Sequence, residues 1–187
     1  MKVRTYETEG EVPAELCVQA EELREQAWPG LAGPHDPALR PVPMLLVTPE
    51  GVVTAALEIL TKDIVHRGRT YRASGLSAVA TDEAHRGRGH GRRLVAAART
   101  EIAERGADLG LFTCDRELRG FYEGAGWQVL EGTVLVGGTP QEPFPSDREG
   151  FDKVTVASFF TDRAKRDAEA FRGCRIELYP GVIDRLW

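Results

Sequence analysis

Apolar residues recur along the chain with two different spacings, and each change of spacing marks a predicted element. Between Val12 and Trp28 they return every three or four positions, which predicts an amphipathic helix with Pro13 near its start. The next segment, 29–43, contains five prolines, which fix φ and remove backbone donors. We expect a long ordered loop or a mobile flap there, because a loop of this length inside a domain often serves a function.

Two β-hairpins are predicted after this loop. The segment MLLVTPEGVVTAALEIL contains two apolar runs around a turn at 49–51. The following segment repeats the pattern around a turn at 67–69 and continues as a strand from Leu76 to Thr81. The two hairpins therefore predict neighbouring antiparallel strands.

Helix and strand patterns alternate in the second half. A helical spacing follows the hairpins and runs to about Glu104, after which ADLGLFTC predicts a buried strand and RELRGFYEGAGW a short helix. Strands near 133–136 and 154–160 complete the predicted sheet, with the irregular segment PQEPFPSD between them. This order predicts the α+β class, an α/β sandwich whose mixed, mostly antiparallel sheet is flanked by helices, as one domain over 1–187.

Composition narrows the range of functions. The chain has 187 residues, of which 42% are hydrophobic, and this suits one domain with a full core. A net charge of -5 argues against a dedicated nucleic-acid surface. Three widely spaced cysteines make a poor disulfide framework, so we expect a reduced, cytoplasmic location. Neither HxH nor HxxxH occurs and no run of about 18 apolar residues is present, so we expect no metal and no membrane span.

One stretch, HRGRGHGRR at 85–93, combines three glycines with four arginines between a predicted strand and a predicted helix start. Backbone amides at a helix start point outward together, and the helix dipole there favours an anion. Glycines permit positive φ and a close approach of the ligand to the backbone. The arginines add positive charge at the rim. The turn therefore predicts a phosphate-binding site.

Three phosphate-binding motifs compete for this turn. A P-loop requires GxxxxGK[ST], but the turn continues with two arginines, which excludes that motif. A dinucleotide-binding GxGxxG turn stays open as an alternative, although the third glycine arrives one residue early; Asp115 would then mimic the ribose-binding acid. The third motif, [RQ]xxGx[GA], is met by Arg86, Gly89 and Gly91.

The stretch VATDEAHRGRGHGRRLVAAA resembles the signature of the GCN5-related N-acetyltransferases, in which this turn holds the pyrophosphate of acetyl-coenzyme A. The resemblance extends over about Met44 to Leu130 and includes FYEGAGW, which is similar to the family's closing Tyr-x-x-x-Gly-(Phe/Trp/Tyr) motif. It implies the acyl-CoA N-acyltransferase fold, acetyl-CoA as the acetyl donor, and coenzyme binding by the strand end and the turn. The residues concerned are Val79, Ala80, Thr81, Arg86, Gly87, Arg88, Gly89, His90, Gly91 and Arg92.

Acetyl transfer from a thioester to an amine needs a proton for the departing thiolate and a base for the ammonium. The resemblance implies that Tyr122 is the general acid, with a packed core aromatic as the alternative. Many family members place a glutamate on the signature strand as the base, whereas this chain has Ser77 there. Serine alone is no base at neutral pH, so water relays the proton to another carboxylate or the amine has a lowered pKa. Glu58 on the neighbouring strand is the first such carboxylate, with an outward-facing strand residue as the alternative.

The second hairpin and the tail IELYPGVIDRLW are similar to the aminoglycoside 2'-N-acetyltransferases, which end on a tryptophan whose carboxylate helps to hold the cationic sugar. This resemblance implies substrate-binding roles for Asp184 and Trp187, and the proline-rich loop offers Asp36 in addition. An acidic cleft of this kind would suit a polyamine. Ser77, the proline content of the loop and a longer tail spacing depart from that subfamily. The alternative for Trp187 is packing against the sheet.

These observations predict an acetyl-CoA-dependent N-acetyltransferase that acts on a primary amine of a small polar molecule, with aminoglycosides among the candidates, by direct attack on the thioester. Two alternatives stay open. One is acetylation of a protein N-terminus or lysine, and the other is a catalytically silent coenzyme A-binding module. The expected partner is a small-molecule amine, without nucleic acid or membrane, and homodimerisation is an option.

Overall fold

A seven-stranded sheet forms the centre of the molecule in a computed structural model, which describes residues 1–30 and 33–187. The strands are β1 (Lys2–Thr5), β2 (Val42–Val47), β3 (Val53–His66), β4 (Arg69–Thr81), β5 (Leu109–Asp115), β6 (Gln128–Val129), β7 (Val134–Gly138), β8 (Pro143–Pro145), β9 (Lys153–Phe159) and β10 (Arg175–Glu177). The α-helices are α1 (Ala14–Ala27), α2 (His90–Glu104), α3 (Arg119–Glu123) and α4 (Asp162–Arg166).

The main sheet has the strand order β1-β2-β3-β4-β5-β9-β6. Its neighbours are antiparallel except for the parallel pair β4 and β5, which confirms the predicted mixed, mostly antiparallel sheet. The expectation that the strand near 133–136 completes this sheet is wrong. That strand, β7, pairs with β8 and β10 in a separate three-stranded sheet, and β8 lies within the segment predicted to be irregular.

The two long helices pack on opposite faces of the main sheet. Side chains alternate along a strand, so Met44 and Leu46 of β2 pack in one cluster with α2, while Leu45 and Val47 pack in another with α1. Both helices lie where the apolar spacing predicted them. Among the helices of the described residues, none is both long and apolar enough to cross a bilayer.

An opening lies between the parallel strands β4 and β5. Their pairing covers Ala73–Leu109 and Ser74–Gly110, and the ladder stops there. Further along β4, Ala78 has φ of 49°, a left-handed conformation that is unfavourable for a residue with a Cβ. The β3–β4 register shifts beside it, which marks a bulge. The bulge turns the end of β4 away from β5 and leaves room between the strands.

The chain after β10 fills part of this opening. Gly138 donates its backbone N–H to the carbonyl of Arg185 at 2.8 Å, which holds the segment against the second sheet. The Trp187 indole then packs on Gly75, where any Cβ would collide with it, and donates from Nε1 to the carbonyl of Leu111 at 2.8 Å. The indole therefore occupies the place beside β5 that β4 has left, in agreement with the packing alternative for Trp187.

Candidate active site

Two cavities lie side by side at the end of β4, each with a volume of about 470 Å³. The first, here called the turn cleft, lies against the end of β4, the turn at 85–92 and α3. The second, here called the inner cavity, occupies the opening between β4 and β5 and reaches α1 and the last residues of the chain. The two cavities share three lining residues, Val79, Leu118 and Tyr122.

The turn cleft contains nine of the ten residues predicted to bind the coenzyme. These are Val79, Ala80, Thr81, Arg86, Gly87, Gly89, His90, Gly91 and Arg92. The tenth, Arg88, has an exposed side chain and lies outside the lining. Two separate parts of the chain, the strand end and the turn, thus lie together in one cleft.

Three glycines of the turn occupy positions where a side chain would strain the backbone or clash with a neighbour. Gly87 and Gly89 have φ of 75° and 79°, which are costly for residues with a Cβ. A Cβ on Gly91 would lie 2.5 Å from Thr81 Oγ1, so this glycine allows α2 to begin directly against the end of β4. Gly89 also precedes α2 without a side chain to cap it, which leaves the first amides of the helix available to an anion.

Two histidines stack in the turn cleft. The rings of His85 and His90 have centroids 5.4 Å apart, and His85 Nδ1 lies 2.5 Å from Asp82 Oδ2. Burial lowers the pKa of His90, and the neighbouring His85, Arg88 and Arg93 lower it further. Nδ1 of His90 is buried without a hydrogen-bond partner among the described residues.

Tyr122 stands where the cavities meet. Its ring is 5% exposed and makes edge contacts with Phe112 and Phe121 at 5.2 and 4.9 Å between centroids. Burial raises the pKa of its hydroxyl, and Cys114 and Asp115 raise it further, so the group keeps its proton at neutral pH. Tyr122 is therefore packed among aromatic rings, as the alternative prediction states, and it also lines both cavities.

Glu58 and Ser77 are cross-strand partners on β3 and β4. Ser77 lines the inner cavity, whereas Glu58 lies behind the wall and is 4% exposed, so the outward-facing alternative for Glu58 is wrong. Arg24 Nη1 donates to Glu58 Oε1 at 2.7 Å, and His35 Nε2 lies 3.8 Å from Glu58 Oε2. Burial raises the pKa of Glu58 despite the nearby His35 and Arg24.

His35, which the sequence analysis did not single out, connects Glu58 to the tail. Its Nδ1 is hydrogen-bonded to Asp184 Oδ1, and Asp184 Oδ2 also accepts from the backbone N–H of Asp36 at 2.8 Å. Burial opposes protonation of His35, but the Asp184 hydrogen bond and the charges of Glu58 and Asp184 outweigh it and raise the pKa of the imidazole. Arg24, Glu58, His35 and Asp184 form a chain of contacts, here called the buried network.

Asp36, which is predicted to bind substrate, does not line the inner cavity in the structure. Asp36 Oδ1 accepts from the backbone N–H of Ala38 at 2.9 Å and caps the short 3-10 turn Pro37–Leu39, which lies outside the inner cavity. By fixing the loop, Asp36 orients His35 toward Asp184. The prediction of a long loop over 29–43 also covers residues 31 and 32, which lie outside the described residues.

The inner cavity is not the acidic cleft that the tail suggested. Asp184 lines it, as does the Trp187 side chain, but three basic residues, Arg24, Lys153 and Arg185, face two acidic ones. Lys153 Nζ lies 2.6 Å from Oδ1 of the second acid, Asp115. With Glu58 behind the wall included, the carboxylate side chains and the arginine and lysine side chains at this cavity number three each.

A sequence comparison identifies the family. The acetyltransferase (GNAT) domain family matches residues 16–130, more than half of the chain. No curated protein matches the chain.

Several solved structures share the fold. An aminoglycoside 6'-N-acetyltransferase complexed with coenzyme A superposes with a TM-score of 0.60 at 14% identity, over 87% of this chain and 99% of that one. An acyl-CoA N-acyltransferase from Pseudomonas aeruginosa gives 0.54 at 15% identity, over 83% and 97%. Glucosamine-6-phosphate N-acetyltransferase from Arabidopsis thaliana gives 0.52 at 16% identity, over 67% and 91%.

The opened β4–β5 pair, the glycine turn before α2 and the closing FYEGAGW helix occur within or beside the region that the family profile matches. The structural comparisons cover most of the chain and give the same mixed sheet with flanking helices. The chain belongs to the GNAT family, the GCN5-related N-acetyltransferases.

Proposed function

We propose that the protein is an N-acetyltransferase that uses acetyl-coenzyme A to acetylate the primary amine of a small molecule. The observation that carries this proposal is the junction of the turn cleft and the inner cavity at Tyr122. A donor in the first cavity and an acceptor in the second would meet beside one buried, protonated hydroxyl. Holding two reactants in such register converts a bimolecular reaction into an effectively unimolecular one.

The turn cleft fits the coenzyme in three respects. The uncapped amides at the start of α2, with Arg86 and Arg92 beside them, suit a pyrophosphate. Gly91 lets α2 begin directly against the end of β4, which places these amides beside the backbone of 79–81. The pairing of β4 with β5 ends at Ser74, so the later backbone can pair with an extended pantetheine arm as a strand would. The bound coenzyme would supply the activated acetyl thioester.

Tyr122 is proposed as the general acid. Its raised pKa keeps the hydroxyl protonated in the resting enzyme, and its place on both cavities puts it beside the sulfur of a donor that reaches the junction. The hydroxyl therefore carries a proton that the departing thiolate can take. The raised pKa therefore agrees with a proton donor and disagrees with a resting nucleophile.

The buried network is proposed to take up the proton of the acceptor ammonium. Asp184 touches the inner cavity, and His35 and Glu58 extend from it into the protein. The raised pKa of His35 brings the imidazole toward the operating pH, which suits a group that accepts and releases a proton in each cycle. Ser77, which lines the cavity opposite Glu58, is proposed to orient the amine by hydrogen bonding.

Coenzyme binding and thiol release together test this proposal. Acetyl-CoA at 100 times its dissociation constant should stabilise the protein by roughly 2.7 kcal/mol, while S-acetylpantetheine, which lacks the pyrophosphate, should stabilise it less at the same concentration. No thermal shift at millimolar acetyl-CoA would contradict the donor assignment. A shift without thiol release on addition of any amine would favour a silent coenzyme A-binding module.

A further inference from the structure

Several exposed apolar side chains lie around the inner cavity. Nine large hydrophobic residues are exposed in the described part of the chain, and four of them line the inner cavity: Trp28, Leu118, Phe151 and Ile183. Phe144 adds a further ring, in edge contact with Phe151 at 5.4 Å. Scattered exposed apolar residues are ordinary on a protein surface, but a group of them around one cavity marks a binding site.

One positive charge at this cavity is without an anionic partner. Arg24 is paired with Glu58, and Lys153 is paired with Asp115. Across residues 1–30 and 33–187, no carboxylate lies within 4.0 Å of the Arg185 guanidinium, which instead sits 5.5 Å from the centroid of the Phe144 ring. An arginine held against an aromatic ring at the mouth of a pocket is well placed to bind a carboxylate.

The charge balance argues against a polycationic acceptor. Several ammonium groups would need unpaired carboxylates, yet the two carboxylate side chains at this cavity already have partners: Asp115 is ion-paired and both oxygens of Asp184 accept hydrogen bonds. A carboxylate oxygen has a second lone pair, so Asp184 can still accept one bond from a single amine. An acceptor with one amine and one anionic group therefore matches the two groups that remain available, Asp184 and Arg185.

We infer that the acceptor is a zwitterionic amine with an apolar side chain, such as an aromatic or branched-chain amino acid, whose carboxylate pairs with Arg185 and whose side chain rests on the Phe151 and Ile183 rim. This inference rests on the proposed function, because the amine is acetylated at the Tyr122 junction. The ammonium first loses a proton to the buried network, and the neutral amine nitrogen then forms a bond to the acetyl carbon as the carbon–sulfur bond breaks. The thiolate takes a proton from Tyr122, and the second proton of the nitrogen restores the Tyr122 hydroxyl, so the products are the amide, the thiol and one proton.

A panel of acceptors in a thiol-release assay tests the inference. Phenylalanine and leucine should be acetylated with higher kcat/KM than phenethylamine, which lacks the carboxylate, and than tobramycin, which carries several ammonium groups. Preference for tobramycin, or no turnover of any amino acid, overturns the inference. Coenzyme binding measured on the same sample by calorimetry separates this failure from failure of the proposed function, which predicts binding whatever the acceptor.

Matched variants locate the contacts. Arg185→Gln should raise KM for phenylalanine by about tenfold and leave KM for phenethylamine unchanged, because it removes a charged hydrogen bond to the carboxylate. Arg148→Gln is the control, since Arg148 stacks on the same Phe144 ring at 4.5 Å but lies outside the cavity lining. Equal KM changes for the two acceptors, or the same change in both variants, contradict the carboxylate contact.

The apolar rim has a control in the adjacent residue. Ile183 and Val182 are 60% and 65% exposed, but Ile183 lines the cavity and Val182 does not. Ile183→Ser should lower kcat/KM for leucine by about threefold to tenfold, as expected for a lost apolar contact, and Val182→Ser should leave it unchanged. Both variants are exposed substitutions that keep the fold, so an equal response of the two contradicts the proposed rim.

Discussion

The turn cleft and the inner cavity have the same volume and share a wall, but they are built in different ways. Most of the turn cleft comes from one continuous stretch, 79–92, and its binding groups are backbone amides and glycine spaces. The inner cavity takes side chains from α1, β4, β5, β8, β9 and the tail. A site built from local backbone geometry tolerates little variation, whereas a site assembled from distant side chains can change acceptor without changing the fold.

The largest effect is expected at the shared wall. Tyr122→Phe keeps the ring contacts with Phe112 and Phe121 and removes only the proton donor, so kcat should fall by about 100-fold or more while coenzyme affinity is retained. Steady-state kinetics and calorimetry with acetyl-CoA measure the two quantities.

Tyr71→Phe is the matched control, because that hydroxyl bonds Asp167 at 2.7 Å, away from both cavities. Turnover by Tyr122→Phe at the wild-type rate over the whole pH range would remove Tyr122 from the chemistry and leave it as a packing residue.

The second largest effect is expected from Gly91→Ala, which alters the turn cleft and not the inner cavity. Gly91→Ala places a Cβ 2.5 Å from Thr81 Oγ1, so either the start of α2 or the end of β4 must move. We expect coenzyme affinity to fall by about tenfold and the free energy of unfolding to fall by about 1–3 kcal/mol. Calorimetry and denaturant unfolding measure these losses.

Two further variants show whether the contact with Thr81 is the cause. Gly120→Ala adds a Cβ in open space and should leave coenzyme affinity unchanged. Adding Thr81→Ala to Gly91→Ala removes the opposing oxygen and should restore part of the affinity, with a coupling term that the single variants lack. Additive losses in the double variant would locate the effect elsewhere.

A third prediction concerns the buried network and pH. The folded-state pKa of His35 is raised above its ordinary value of 6.5, so its contribution to stability is fully present below that value and is lost as pH rises through the folded-state pKa. Wild type should therefore lose stability relative to His35→Gln as pH rises above about 6.5. Urea unfolding of both proteins across this range measures the difference.

Glu58 adds to the same trend at lower pH, because burial raises its pKa as well and the folded state binds its proton more tightly. His85→Gln is the control for a histidine outside the network. A constant difference between wild type and His35→Gln at every pH would show that the imidazole does not change its protonation where the network predicts it.

The smallest effect is expected from Arg88. Its side chain lies exposed outside the turn cleft, so Arg88→Ala should weaken coenzyme binding by no more than about threefold, through long-range attraction that salt screens. Arg92→Ala, within the lining, should weaken it more, and the excess should persist at high salt. Equal losses in both variants would mean that net charge of the turn, and not its geometry, binds the coenzyme.

The sequence predicted the elements whose signals are local. The turn and the helix beginning at His90 are determined by glycine spacing and by apolar periodicity within a few residues, and the hairpin around Arg67 by its turn chemistry. Strand partners depend on distant parts of the chain, which explains why β7 was predicted in the main sheet and why β1 and β10 had no prediction. Short strands of three or four residues also carry too few alternating positions to be distinguished from loops.

The acceptor residues were harder to predict for the same reason. In the sequence, Glu58 is a single polar residue in an apolar strand. Its burial is offset by the contacts of its carboxylate with Arg24 and His35, which come from two other parts of the chain. His35 lies among prolines, which restrict the backbone of the loop but do not indicate which residues its side chains contact. Arg185 differs from the neighbouring Arg24 and Lys153 in having no ion pair within the described residues, and the sequence does not show which cations are paired.

The Trp187 indole that takes the place of a strand beside β5 also provides an optical signal. Of the three tryptophans in the chain, Trp28 and Trp187 line the inner cavity, while Trp127 is packed against Phe112 in the core. Intrinsic fluorescence should therefore respond to an acceptor that fills the inner cavity and respond weakly to a ligand confined to the pyrophosphate turn. Occupation of the two halves of the site can thus be followed separately, without a label.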